Sequence, residues 1–252
     1  MRLAGLRTTV LFMTLIAWSM VSIWPAELGI TDVVDGIAFL GNWIPPETSG
    51  VMVSVRASLI TMATAFLGAS FGLAIGLPCS LVASLKLRLS PFPVVTALRA
   101  SFVVFRSLPE IVVALIFLVV FGPGAFAAML AMTLHNTGVF AKLLSDRVDE
   151  ASNGTFEALV SIGASRTTAA AFGILPEIWP TVVAQYFYRL EVGVRASIAL
   201  GLIGAGGIGQ QLINHFKTFQ YREVTTDVIV IMLLIGSVDF LSVRMQRKYV
   251  QQ

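Results

Sequence analysis

Charged residues are scarce in this chain of 252 residues, at 12% of the sequence, whereas a soluble domain has about 25%. Hydrophobic residues make up 56%. Such a composition cannot cover a surface that faces water, so a soluble enzyme is excluded. Lipid is the expected solvent for most of the chain.

Metal-binding and nucleophilic residues are equally few. The single cysteine, Cys79, lies in an apolar run, and the two histidines, His135 and His215, are far apart in the sequence. No cysteine and histidine cluster has metal-ligand spacing, so we expect no metal. A membrane-embedded enzyme stays a distant alternative, because it would need a converging set of catalytic side chains.

The net charge of +3 does not indicate nucleic acid binding, because lysine and arginine are dispersed between apolar runs. These runs predict an all-α polytopic transmembrane bundle of about six spans within one domain, 1–252. Helices are expected because unpaired backbone groups are not tolerated in hydrocarbon. The predicted spans are 8–26 (a peripheral first span), 57–83, 94–121, 124–144, 178–203 and 226–243, with 57–243 as the core.

The distribution of basic residues predicts the orientation. With both termini inside, only Arg56, Lys217 and Arg222 fall in external segments, in keeping with the positive-inside rule. Residues 27–50 are then an acidic external loop of unknown role. The segment 153–176 is internal, with a helix, a turn at Gly163 and a second helix that ends at Leu175 and Pro176.

This internal segment contains Glu157-Ala158-Leu159, then Gly163, then Ile174-Leu175-Pro176. It resembles the EAA loop of binding-protein-dependent ABC transporter permeases, although Leu159 replaces the second alanine. The resemblance implies a coupling loop that docks on an ATPase subunit. The coupling residues it implies are Glu157, Ala158, Gly163, Ala164, Leu175 and Pro176.

Two later segments, Tyr186–Arg195 and Leu200–Gly209, are similar to the phosphonate ABC transporter permease family. The likeness implies an importer subunit in the bacterial inner membrane that carries phosphonate or a related oxyanion, phosphate or phosphite. It implies a second permease copy, two cytoplasmic ATPase subunits that bind ATP and Mg, and an external solute-binding protein. An amino-acid importer permease of similar architecture is the alternative.

The glycines of the second segment, Gly204, Gly206, Gly207 and Gly209, also fit the dinucleotide pattern G-x-G-x-x-G. The pattern needs a preceding strand, and here a long apolar helical run leads into it. We expect a tight turn, a gate or a close helix approach instead. No phosphate-binding P-loop sequence occurs, so ATP hydrolysis is expected on a separate subunit.

Ionisable residues inside spans are candidates for the substrate path, because a charge in lipid is costly without a partner or a cavity. Arginine fits a tetrahedral oxyanion. The competing interpretation is that Arg106 pairs with Glu110 and Glu191 with Arg195, four residues apart on a helix. The candidates for the path are Arg106, Glu110, His135, Asn136, Arg189, Glu191 and Arg195, and Arg99 is a further ionisable residue in a span.

Two alternatives remain open at this point. His135 and Asn136 could bond a passing oxyanion, or they could bridge helices. Gly68, Gly72 and Gly76 form a stripe of small residues, which could pack within this bundle or against a second copy.

Overall fold

A computed structural model of the chain describes residues 2–23, 30–152 and 154–250. Every regular element in these ranges is helical, as predicted. The α-helices are α1 (Arg2–Ile23), α2 (Ile30–Phe39), α3 (Val51–Val82), α4 (Phe92–Ser107), α5 (Glu110–Phe121), α6 (Ala125–Glu150), α7 (Gly154–Ser161), α8 (Arg166–Ala169), α9 (Leu175–Leu200), α10 (Gly207–Lys217) and α11 (Tyr221–Val250).

The chain divides into two compact units, Met1–Pro45 and Pro46–Gln252. The first unit contains α1, α2 and a short 3-10 helix at Leu40–Trp43. The side chains described on α1 are exposed and mostly apolar. The predicted first span coincides with α1 as far as Ile23, and residues 24–26 lie outside the described ranges.

In the second unit, α3 packs closely along α6. A Cβ atom on Gly72 would lie 2.5 Å from the Cβ of Asn136, and Gly68 and Gly76 make similar approaches to Met132 and Phe140. The glycine stripe therefore packs within this chain, which decides one of the alternatives left open by the sequence. Close backbone approach of this kind is how membrane helices gain packing energy.

Helix α6 lies at the centre of the second unit, where α3, α4, α5 and α9 all pack against it. Its buried residues include Asn136, Thr137 and Ser145. Neighbouring helices rather than lipid therefore cover this comparatively polar helix. By contrast, Val119 on α5 is 86% exposed, as expected for a side chain that faces lipid.

Helices α3 and α11 are each long and apolar enough to cross a membrane. Two bent pairs reach the same criterion together, α4 with α5 at 88° and the stretch Arg166–Ala205 with α10 at 52°. Within the described residues, every predicted span coincides with a helix or with part of such a pair. The prediction that 94–121 is one continuous helix is wrong, because α4 and α5 meet at the 88° bend.

A second correction concerns the internal segment. Leu175 and Pro176 do not end a helix, because they open α9, and a π-helical turn at Ala170–Ile174 links α8 directly to it. Proline fits the first turn of a helix, where its missing N–H has no carbonyl to bond. Helix α8, the π-helical turn and α9 therefore follow one another without a break in the helical chain path.

Candidate translocation and coupling sites

The break between α4 and α5 is the feature that arranges the candidate translocation site. Helix α4 ends at Ser107, Leu108 is extended, and Pro109 caps the start of α5, at Glu110. Pro109 cannot continue the hydrogen bonding of α4, and it restricts Leu108 to extended conformations. Arg106 and Glu110 are therefore not one turn apart on a common helix, so their predicted pairing is wrong.

The break directs Glu110 toward α6 and α9. Arg189 of α9 donates two hydrogen bonds to Oδ1 of Asn136, from Nε at 2.8 Å and from Nη2 at 2.5 Å. Glu110 interacts electrostatically with Arg189, and the ring of His135 lies against the backbone of Leu108. Four of the predicted candidates thus converge on one polar cluster, Glu110, His135, Asn136 and Arg189, called the central cluster below.

Several polar atoms of the central cluster are buried without a hydrogen-bond partner among the described residues. They are Oε1 of Glu110, Nδ1 of His135 and Nδ2 of Asn136. A buried polar atom left unpaired costs about 1–3 kcal/mol. A set of such atoms beside a half-buried arginine is therefore a costly arrangement that calls for an explanation.

The remaining path candidates lie elsewhere. Glu191 and Arg195 form an ion pair at 2.8 Å, as one interpretation of the sequence expected. Arg106 lies in the last turn of α4, where it is exposed and makes no hydrogen bond or ion pair with the described residues. Arg106 is therefore a path candidate that a ligand could reach from the surface of the chain without breaking an ion pair.

The glycine segment forms a tight turn, in agreement with the expectation from sequence. Gly204, Gly206 and Gly207 have φ angles of 103°, 80° and 70°, which favour glycine. A Cβ atom on Gly209 would lie 2.0 Å from the carbonyl oxygen of Ile198. The described residues contain no strand that a dinucleotide site would need. A role in gating stays a prediction.

The internal segment forms two short helices seated on the bundle. Gly163, with φ at 91°, turns the chain after α7. Phe156 is buried in a core with Leu87 and Ile174, whereas Glu157 and Ala158 are exposed. Of the other predicted coupling residues, Ala164 and Leu175 are half-buried, and Gly163 and Pro176 are exposed. The segment therefore has a fixed underside and an accessible face.

Two aspartates organise polar nodes that the sequence analysis did not find. The Asp149 node joins Asp149 to Ser84, Lys86 and Arg99. Arg99 was a path candidate by sequence, and the structure places it in this ion pair instead.

The Asp227 node joins Asp227 to Ser54, Gln211 and His215, at 2.6, 2.9 and 2.7 Å respectively. Ser54 of α3 is 173 residues away from Asp227, and Gln211 and His215 of α10 lie outside any predicted span. No spacing rule could have found this node. Across the described residues, no group of three or more histidine, cysteine or acidic side chains could hold a metal ion.

A helical bundle with broken spans and a polar centre defines a membrane transport subunit. Its fold is similar to that of the permease in an inward-facing structure of the MetNI methionine ABC transporter, with a TM-score of 0.70 and 24% identity over 81% of this chain and 99% of that one. This likeness shows the ABC importer permease fold.

The chain matches the binding-protein-dependent transport system inner membrane component family over residues 72–251, and it belongs to that family. It is therefore a transport subunit and not an enzyme.

Among its relatives is the phosphite transport system permease protein PtxC of Stutzerimonas stutzeri, 28% identical over 87% of this chain and 88% of PtxC. Another is the phosphate-import permease protein PhnE of Mycolicibacterium smegmatis, 27% identical over 91% of this chain. The match spans 44% of that longer relative.

Proposed function

We propose that this chain moves a phosphorus oxyanion, phosphonate, phosphite or phosphate, across the bacterial inner membrane by ATP-driven alternating access. The observation that carries the proposal is the pair of arginines near the broken span. Arg189 lies in the central cluster, and Arg106 is exposed and unpaired within the described part of the chain. Guanidinium matches the geometry of such an anion and stays charged at every physiological pH.

The partners that Arg189 already has favour a weak anion site, which suits transport. Asn136 occupies two of its donors, and the carboxylate of Glu110 lies within electrostatic range. A cluster of arginines with no compensating partners would hold an anion too tightly for release, whereas partly compensated arginines give weak sites that the anion can leave again. The names of PtxC and PhnE support the same class of substrate.

The proposal includes partners. A second copy of the chain would complete the translocation unit, and two cytoplasmic ATPase subunits would bind ATP and Mg and contact the loop at 153–176. An external solute-binding protein would deliver the anion and set most of the selectivity. With both termini inside, the accessible face of α7, including Glu157, would face the ATPase. Closure of the ATPase pair would then move this loop and rock the spans.

The test is uptake into proteoliposomes that contain the chain with a partner ATPase and a solute-binding protein. We expect uptake and ATPase stimulation with phosphite, phosphate or a phosphonate, and none with methionine or other amino acids. Stimulation by an amino acid alone would replace the proposed substrate class. Failure to associate with any ATPase would overturn the importer assignment.

The Arg106→Ala variant tests the arginine directly. We expect about a tenfold lower uptake per ATP hydrolysed, because the exposed guanidinium would no longer attract the anion, with partial recovery in Arg106→Lys. Arg56→Ala, which removes an exposed arginine near the start of α3, is the matched control. Equal uptake by Arg106→Ala and Arg56→Ala would remove Arg106 from the path.

A further inference from the structure

The connector between α3 and α4, residues 83–90, holds the underside of the internal loop. Leu87 is fully buried in the core that contains Phe156 of α7 and Ile174 of the π-helical turn. The carbonyl of Leu87 accepts a hydrogen bond from Nη1 of Arg166 at 2.9 Å. Both short helices of the loop are thus attached to this connector, α7 by packing and α8 by a hydrogen bond.

The same connector is attached to the end of α6 through Asp149. Oδ1 of Asp149 accepts hydrogen bonds from Oγ of Ser84 at 2.5 Å and from the backbone N–H of Lys86 at 3.2 Å. Oγ of Ser84 also accepts from the N–H of Leu87 at 3.1 Å. One carboxylate therefore fixes the backbone of the connector that carries Leu87.

The base of the loop is held from two sides. Nζ of Lys86 donates to the carbonyl of Ala151 and, at 3.2 Å, to that of Ser152. Glu177, in the first turn of α9, accepts from the N–H and the hydroxyl of Ser152 at 2.7 and 2.9 Å. Because these bonds fix the loop where it leaves α6, a push on the loop would move the connector instead of being absorbed.

Arg99, a residue of α4, links this helix to Asp149 and to the connector. Its Nη2 atom donates to Oδ2 of Asp149 at 2.5 Å, and its Nε atom donates to the carbonyl of Ala83 at 2.8 Å. Both side chains of the ion pair are 23% exposed, so solvent screens the pair only in part. Beyond Arg99, α4 continues for about 12 Å, at about 1.5 Å per residue, to its end at Ser107.

We propose that the Arg99–Asp149 ion pair is the connection through which movement of the internal loop reaches α4, and so the break that positions Glu110 and Arg106. The inference rests on the proposed function, since it takes the loop as the contact with the ATPase. Arg99 and Asp149 are then positioning residues that do not touch the transported anion. A physical link of this kind requires coupling evidence and not only an intermediate location.

The experiment compares Arg99→Ala, Asp149→Asn and the exchange Arg99→Asp/Asp149→Arg in the full complex with its ATPase and binding protein. Uptake of phosphite and hydrolysis of ATP are measured together, and their ratio is the readout. We expect each single variant to assemble and to hydrolyse ATP with at least a fivefold lower ratio, and the exchange to recover part of it. A merely structural role would lower assembly and leave the ratio of the assembled fraction unchanged.

Arg147→Ala is the matched control, because Arg147 forms an exposed ion pair with Glu150 on the same turn of α6. It is expected to keep the wild-type ratio. A wild-type ratio in assembled Arg99→Ala would overturn the link while leaving the proposed function intact. A wild-type complex that hydrolyses ATP and imports no oxyanion would overturn both.

Discussion

The two aspartate nodes lie at opposite ends of α3 and are built differently. Asp227 is fully buried and is held by Ser54, near the start of α3, together with Gln211 and His215. Asp149 is partly exposed and is held by Ser84, just beyond the end of α3, and by Arg99. From Ser54 to its last residue, Val82, α3 extends for about 42 Å at about 1.5 Å per residue.

The difference indicates different tasks. A buried carboxylate with several donors stays in place, because losing any donor leaves a polar group unpaired in a dry environment. A partly exposed ion pair can shift at modest cost, since water takes over any hydrogen bond around it that lengthens. The Asp227 node is therefore suited to hold α3, α10 and α11 together, and the Asp149 node to move with the loop while Arg99 and Asp149 stay paired.

The largest expected effect is that of Asp227→Ala. The change removes the buried carboxylate that Ser54, Gln211 and His215 share as a partner, and we expect a loss of about 3–5 kcal/mol in the free energy of unfolding. Asp149→Ala is the comparison, with an expected loss of about 1–2 kcal/mol, because its donors can turn to water. Unfolding of each purified variant by titration with SDS in mixed micelles measures both.

Equal losses in these two variants would contradict the proposed difference between the Asp227 node and the Asp149 node. A larger loss in Asp149→Ala would reverse the comparison, and the Asp149 node would then be the more rigid of the two.

A smaller effect is expected from Gly72→Ala, which acts between the two nodes. The new Cβ atom would lie 2.5 Å from the Cβ of Asn136 and 3.2 Å from its carbonyl carbon, so α3 and α6 must separate. Overpacking of this kind costs about 1–3 kcal/mol. Gly236→Ala is the control, since nothing lies within 4 Å of its added methyl group. Similar unfolding curves for the two variants would show that the contact between α3 and α6 accommodates an added methyl group without loss of stability.

Features that depend on apolar run length were predicted well from sequence, whereas features that depend on contacts between distant residues were not. The apolar runs of α3 and α11 predict spans because the preference of each side chain for lipid depends on that residue alone and not on its distant contacts. The break at Leu108 and Pro109 has a local signal, the proline itself, but the run is apolar on both sides of it, so run length alone predicts one span. The sequence offered no signal that Asp227 meets Ser54, 173 residues away.

The central cluster falls between these cases. Its members Glu110, His135, Asn136 and Arg189 were all found as polar residues in apolar runs, since each is costly in lipid. Their convergence could not be predicted, because it depends on the break that turns α5 and on the packing of α9 against α6. Which of them touch the transported anion stays a prediction.

The smallest effect concerns a single donor in the Asp227 node. Ser54→Ala removes a 2.6 Å hydrogen bond to Asp227 and one acceptor of Gln211, so we expect a loss of about 1–2 kcal/mol. Ser58→Ala, one turn along α3, removes a buried hydroxyl that bonds only to the carbonyl of Val55 in its own helix, and should cost less than about 0.5 kcal/mol. If both variants unfold at the same SDS fraction, the hydroxyl of Ser54 adds nothing to the node, and its rigidity must come from Gln211 and His215.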